Sequence, residues 1–581
     1  MRLNRLVAGV LAGVVCLLGQ QFFPLREVKP GMKATGRSVF SGSQVEEFQV
    51  EILGVLENAG PKQSIVLGRL SGGPIERTGV MQGMSGSPVY VEGRLLGAVA
   101  SAFPFSKEPI AGIRPIEEMV KPQAAAAPRV ARANTAEGLA ALFPERTEIV
   151  AGGTRLTDIS TPVSFGGFTQ RTLEHFAPQL RSLGLEPRQG VLGGGRPAPQ
   201  MGEVGRLEPG SMISVQLISG DLQVGADGTL TYIDGTTVYG FGHRFISAGT
   251  TEMPFARAEV LTLLPNLASS FKISAAREWM GTITGDHSGG VSGELGRDAR
   301  MTPVMIAVKG GRGAMQYDLR VVRDRFLTPF LLQMAVFSTI DATERAVGAG
   351  TLNIRGRLEW EGGLPPVEIR NTFAADTGVS IAGSLAVAAP LSYALQSGFA
   401  EMKLERIRLE MEFVEEKRQL HVDQVWTSRQ QVRPGETVQV NVVLEGSGGL
   451  EVRRQATYAV PLGAVAGPLL ITVADATAAN LADFQQMLTK PAGSPAQLLG
   501  FLNGLRGSDA AYLRIGRQDP GFQIQGRLLP DPPPSLALIL QRTPGMTGTA
   551  VPGTSRLAEI VLPADGHAVT GTKTIQVEIK E

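Results

Sequence analysis

Residues 79–99 read GVMQGMSGSPVYVEGRLLGAV, and the reading of this stretch decides the fold. Gly83-Met84-Ser85-Gly86-Ser87-Pro88 places a serine between small residues, at a turn that opens onto a strand. A nucleophilic serine needs this setting. Glycines let the backbone bend tightly and leave room over Oγ for a substrate carbonyl. The turn also aims backbone N–H groups, those of Gly83 and Ser85, at the place where an oxyanion would develop. Each such donor is worth about 2.7–4 kcal/mol in the transition state. Taken alone, G-x-S-G is also an ordinary glycine turn, so the surroundings have to decide.

Around this stretch the pattern is one of short strands and glycine turns. Residues 48–55 (FQVEILGV) alternate apolar and polar side chains, and 64–70 and 88–100 read the same way. Residues 122–132 (PQAAAAPRVAR) read as a linker, followed by helical stretches near 135–142 and 171–183. A second strand-rich block spans 214–322, where Asp234-Gly235 is a hairpin turn signal. Further on, 352–360, 403–414 and 437–444 look like strands. Residues 432–436 (VRPGE), opening onto TVQVNVVLE, read as the loop and edge of a β-sandwich. One helix is expected between 480 and 505, and PDPPP at 530–534 marks a turn. The chain is mainly β, without a repeat at 20–50 residues.

Composition narrows the function. The 581 residues carry a net charge of +1, so no electrostatic footprint for nucleic acid is present. Gly (72) and Pro (37) are frequent yet below the level of low-complexity disorder. The single cysteine, Cys16, excludes an intramolecular disulfide and any Cys-based metal or catalytic pair. It lies in the apolar run 6–18 (LVAGVLAGVVCLL) behind Arg2 and Arg5, the pattern of an export signal and short for a membrane span. The mature chain is therefore expected outside the cytoplasm, with attachment through its N-terminal segment left open. No H-E-x-x-H, phosphate-binding loop or dinucleotide fingerprint occurs, so neither metal nor organic cofactor is expected.

Taken with its flanks, GVMQGMSGSPVYVEGRLLGAVA resembles the nucleophile segment of the SpoIVB peptidase family, serine peptidases with a chymotrypsin-like double β-barrel. Residues 30–40 (PGMKATGRSVF), 47–58 (EFQVEILGVLEN) and 110–119 (IAGIRPIEEM) resemble the family's neighbouring strands. Residues 228–243, ending Tyr239-Gly-Phe-Gly-His243, resemble the segment that holds its catalytic histidine, and 281–296 (GTITGDHSGGVSGELG) a further strand pair. The similarity spans about residues 28–310. It implies Ser85 as nucleophile and His243 as general base, since an imidazole removes the hydroxyl proton that makes serine a poor nucleophile. His175, His421 and His567 are read as structural, and His287 as a second choice.

Two departures from the family pattern stand out. Ser85 precedes His243, whereas the family's histidine segment comes first, which implies a circular permutation. The acid expected some fifteen residues before the nucleophile is absent, since that neighbourhood reads Gly68-Arg-Leu-Ser-Gly72. Glu76, Asp234, Glu252 and Asp286 are the alternatives for orienting the imidazole, with Asp286 favoured; a dyad held by a backbone carbonyl is the other option. No PDZ-like segment precedes the catalytic half.

The expected division is an N-terminal signal or anchor (1–22), a nucleophile-bearing barrel half (23–121), a linker with helices (122–210), a histidine-bearing barrel half (211–325), a β-rich accessory domain (326–425) and an Ig-like sandwich region (426–581). The expected activity is that of an exported serine endopeptidase acting on envelope proteins, its own chain among them. The alternative is a catalytically silent envelope scaffold on the same barrels.

Overall fold

Alternation of side chains sets the architecture. Phe48, Val50 and Ile52 are buried while Glu47 and Gln49 face outward, the period-two pattern of a strand with one face in a core. The computed structural model describes residues 21–60, 63–121, 149–151, 154–190, 201–311, 313–343, 349–489, 491–524, 527–530, 535–536 and 548–580. The expected export signal, the Ala/Pro-rich linker, the helix near 135–142 and most of the 530–534 turn lie outside them. The chain divides into two compact units.

The first unit holds two closed barrels. Strands β1 (Lys33–Ser41), β2 (Gln44–Gly60), β3 (Gln63–Ser71), β4 (Pro88–Val91), β5 (Arg94–Ala102) and β6 (Ile110–Pro115) pair antiparallel in the order 1-2-3-6-5-4, and β4 returns to β1. Its core packs Phe48, Val50, Ile52, Val66, Val89, Leu96 and Ile113.

Between the barrels lie β7 (Ile149–Ala151), β8 (Thr154–Asp158), β9 (Thr161–Gly166), helix α1 (Gln170–Ser182) and β10 (Leu185–Gln189). Thr169 caps α1 by accepting the Thr172 N–H, and Leu173, Phe176 and Leu180 form its buried stripe. The stretch read as a linker thus carries structure: β8 pairs with β5 of the first barrel and β9 with the second barrel.

The second barrel comprises β11 (Met212–Gly220), β12 (Gln223–Asp234), β13 (Thr237–Gly240), β14 (Gly249–Leu264), β15 (Phe271–His287) and β16 (Gly290–Leu295). Its antiparallel pairings close in the same order as the first barrel, with β11 returning to both β12 and β14. This duplicated topology was invisible as a sequence repeat, because burial constrains residue class and not identity. The double barrel is the chymotrypsin-like architecture the resemblance implies, with the serine-bearing barrel first in the chain.

The second unit, described by itself, carries an antiparallel sheet of Gly350–Trp360 between Val367–Ala375 and Leu404–Val414. A β-sandwich follows. Its two sheets share a core that includes Val422, Val440, Leu444, Ile471, Leu513 and Val577. The single helix expected between 480 and 505 is two, Ala476–Thr489 and Pro495–Asn503, the second capped by Ser494. Two further helices were not expected: Leu327–Thr343, most of which belongs to the first unit, and Val379–Leu395 of the second. Both are apolar on all sides and so show no 3.6-residue period.

Candidate active site

The serine loop is built from turns that only glycine adopts easily. Gly79, Gly83 and Gly86 have φ of 65°, 90° and 96°, the left-handed side of the map. The Met84 N–H donates to Met81 O (3.2 Å) and the Ser87 N–H to Met84 O (2.9 Å), so the chain coils around Ser85 before entering β4. Gly86 is fixed by its neighbours as well. Its N–H donates to Val99 O (2.7 Å), and a Cβ there would lie 1.9 Å from Thr229 O of the second barrel.

Three polar groups in this loop stand apart from the rest. The N–H groups of Gln82, Met84, Gly86 and Ser87 all have acceptors. Those of Gly83 and Ser85 have none among the described residues, and Ser85 Oγ is buried without a partner. Buried polar groups are almost always paired, because leaving one unpaired costs about 1–3 kcal/mol. Two donors and a hydroxyl left free on one loop are the kind of arrangement that can receive an oxyanion beside a nucleophile.

The second barrel meets the carbonyls of this loop through one backbone N–H and two threonine hydroxyls. The Thr229 N–H donates to Ser85 O (2.8 Å), Thr229 Oγ1 to Gly83 O (2.9 Å) and Thr231 Oγ1 to Gly86 O (2.7 Å). His243 follows β13 on a tight reversal in which Phe241 and Gly242 have φ of 67° and 68°. A buried phenylalanine in that region stores strain, held here by the Phe241 ring lying flush on Gly228. Space for a Cβ at Gly242 is limited by Val99 O at 3.1 Å, the same carbonyl that accepts the Gly86 N–H. The segments carrying Ser85 and His243 therefore converge on one carbonyl, and both residues are buried.

His243 Nδ1 lies 2.7 Å from Arg244 O. A carbonyl only accepts, so Nδ1 carries the hydrogen and the lone pair of a neutral imidazole sits on Nε2. Asp286 does not provide this contact. It lies buried at the end of β15, and its carboxylate accepts the N–H groups of Phe245 (2.7 Å), Ile246 (2.8 Å) and Ala248 (2.9 Å). Burial pushes its carboxyl pKa up, against the pull of these three donors. The expectation that Asp286 orients the ring is corrected to a less direct role: its three hydrogen bonds hold the loop directly after His243, and none of them goes to the ring. Of the alternative acids, Glu252 accepts the Arg300 N–H and Asp234 sits in the β12–β13 hairpin.

One buried cation beside the site had no signal in the sequence. Lys272, on β15, donates from Nζ to Ser38 Oγ of the first barrel (2.8 Å), which lies 3.0 Å from Ser87 Oγ. Its stem would touch a Cβ at Gly83 at 3.3 Å. Desolvation drives its pKa down to about 7, with Glu46 pulling weakly upward. Below pH 7 the folded protein holds a charge it solvates badly. Between pH 7 and about 10.4 the unfolded chain binds a proton that the folded one does not, so stability rises with pH across that window. Lys272→Met leaves Ser38 and Ser87 to pair with each other. It should be more stable than the parent by roughly 3–5 kcal/mol at pH 6, with the gain gone by about pH 10. Urea midpoints across that range check this; a pH-independent difference contradicts it. A second buried ion, Asp227 of β12, is pushed up to about 6 by burial and is held by Ser214, Ser274 and Ser164.

Among the described residues no group of three His, Cys, Asp or Glu side chains is placed to hold a metal. No helix among them is long and apolar enough to cross a membrane. In comparison with known proteins, residues 23–120 match one family, SpoIVB peptidase S55. No curated protein and no solved structure matches the chain.

Proposed function

From the premise that residues 23–120 are a SpoIVB peptidase S55 segment, we propose that the protein is an exported serine endopeptidase that cleaves polypeptides of the cell envelope. The order of its barrels is then a circular permutation of the family's, which geometry tolerates because a catalytic constellation is defined by placement and not by chain order. The observation that carries the reading is the set of free groups around Ser85: its Oγ and the N–H groups of Gly83 and Ser85.

In this mechanism His243 Nε2 takes the Ser85 Oγ proton as Oγ attacks the substrate carbonyl carbon. The carbonyl oxygen becomes an oxyanion between the Gly83 and Ser85 amides. The imidazolium keeps its Nδ1–H on Arg244 O and gives the Nε2 proton to the departing amine as the C–N bond breaks. Water, deprotonated by His243, then releases the acyl group from Ser85.

The competing reading, a silent scaffold, is favoured by one observation: a neutral carbonyl, not a carboxylate, faces Nδ1. Replacing the acid of such a triad by a neutral group lowers kcat about 10⁴-fold in a well-studied case. Turnover should therefore be slow but real. Incubation of the purified protein with unfolded casein, followed by mass spectrometry, should show new internal peptide termini that Ser85→Ala does not produce. Identical peptide maps for the two proteins would favour the scaffold.

A further inference from the structure

Arg188, at the end of β10, is carried onto the flank of the oxyanion loop. Its guanidinium carbon stands 4.0 Å from the centre of the Phe271 ring, and Nη2 donates to the Gln82 side-chain oxygen at 3.4 Å. Phe271 and Gln82 are themselves joined in a parallel bridge, and Gln82 immediately precedes Gly83. A strand from the segment between the barrels thus places a cation next to one of the two free amides.

This cation is undersupplied with partners. Among the described residues its Nε is buried without a hydrogen-bond partner, and the guanidinium makes one hydrogen bond, which is long and goes to a neutral amide. The acid that acts on it, Glu186 on the same strand, is already bound through both oxygens to Arg181. Burial depresses the Arg188 pKa, with Glu186 opposing and Arg181 adding to the fall. Stacking on a ring occupies a face of the guanidinium and leaves its in-plane N–H groups as donors, and two such donors can hold a carboxylate through paired bonds.

We propose that Arg188 is a specificity-determining residue that receives a carboxylate of the substrate polypeptide, from an Asp or Glu side chain or from a free C-terminus. The proposal deepens the peptidase reading and rests on it for the identity of the ligand as a polypeptide. It makes the preferred substrate anionic near the scissile bond, a preference that the near-zero net charge of the whole chain does not disclose.

The test reads binding separately from catalysis. Ser85→Ala protein is titrated into fluorescein-labelled decapeptide pools that differ only in a single scanned Glu or Gln, each with a free or an amidated C-terminus. Anisotropy should show the Glu pools or the free-terminus pools binding at least tenfold tighter, and which of the two does so identifies the source of the carboxylate. Adding Arg188→Gln should abolish the preference, and Arg188→Glu should shift it to pools carrying Lys; circular dichroism confirms that each variant is folded. Equal affinity of all pools, no binding of any, or a preference that survives both substitutions overturns the assignment. Fluorophosphonate labelling of the parent separates the two claims: labelling without an acidic preference sinks Arg188 alone. An acidic preference without labelling sinks the peptidase reading and leaves Arg188 a binding residue.

Discussion

Ser85→Ala and His243→Ala should each lower peptide-bond cleavage to the level left by binding and the oxyanion donors alone. In a full triad, losing the nucleophile or the base costs about 10⁶-fold in kcat and losing the acid alone about 10⁴-fold, so with a carbonyl already in the acid's place the expected loss is the remaining ~10²-fold. The two residues act on one proton, so the effects should not add: the double variant should be no slower than either single one. Both segments meet at Val99 O, and the imidazole's Nδ1 is committed to Arg244 O. A His243→Ala variant that cleaves at the parent rate would show that another group takes the Ser85 proton. The double-variant comparison, read by rates of peptide release, also separates a shared step from two independent structural losses.

Gly86→Ala should be the most damaging substitution to the fold that removes no functional group. A Cβ at Gly86 would sit 1.9 Å from Thr229 O and 2.5 Å from the Phe241 N, both backbone atoms of the second barrel. No rotamer change relieves a clash with backbone, and the φ of 96° adds strain for any L side chain. The same displacement would break the Gly86 N–H to Val99 O and Thr231 Oγ1 to Gly86 O bonds. Together these effects should lower stability by about 4 kcal/mol or more. Gly79→Ala provides the contrast. Its φ is also positive, at 65°, but nothing lies within 4 Å of a Cβ there, so it should cost only about 1–2 kcal/mol. Denaturant unfolding of both variants decides; a Gly86→Ala protein within 1 kcal/mol of the parent would contradict the closeness of the barrels.

What the sequence made legible was local. The Gly83–Pro88 turn, the alternation at Phe48, Val50 and Ile52, and the Asp234-Gly235 hairpin are each set by neighbours in the chain, and each stands where its pattern put it. The helix read near 171–183 carries its own cap and stripe within its own residues. The helices Leu327–Thr343 and Val379–Leu395 escaped because a helix apolar on all sides has no polar face to set a period.

What stayed hidden at the site was non-local. Lys272 alternates along β15 as a solvent-facing lysine would, and only the first barrel's Ser38 makes it a buried one. Arg188 looks like an ordinary strand residue until Phe271 and Gln82 arrive beneath it. Asp286 was legible as an acid in the right neighbourhood, but its three amide donors come from the loop that the structure folds over it. The ring's actual partner, the Arg244 carbonyl, is a backbone atom with no side-chain signature at all.

The central claim is that Ser85 is an activated nucleophile, and a fluorophosphonate tests it without knowledge of the substrate. Such a probe phosphonylates a serine only where a base removes its proton and donors hold the oxyanion. Tandem mass spectrometry of the labelled, digested protein should place the adduct on Ser85 of the 79–99 segment, with no adduct in His243→Ala. Folded parent protein that takes up no probe, or takes it up on another serine, would contradict the account.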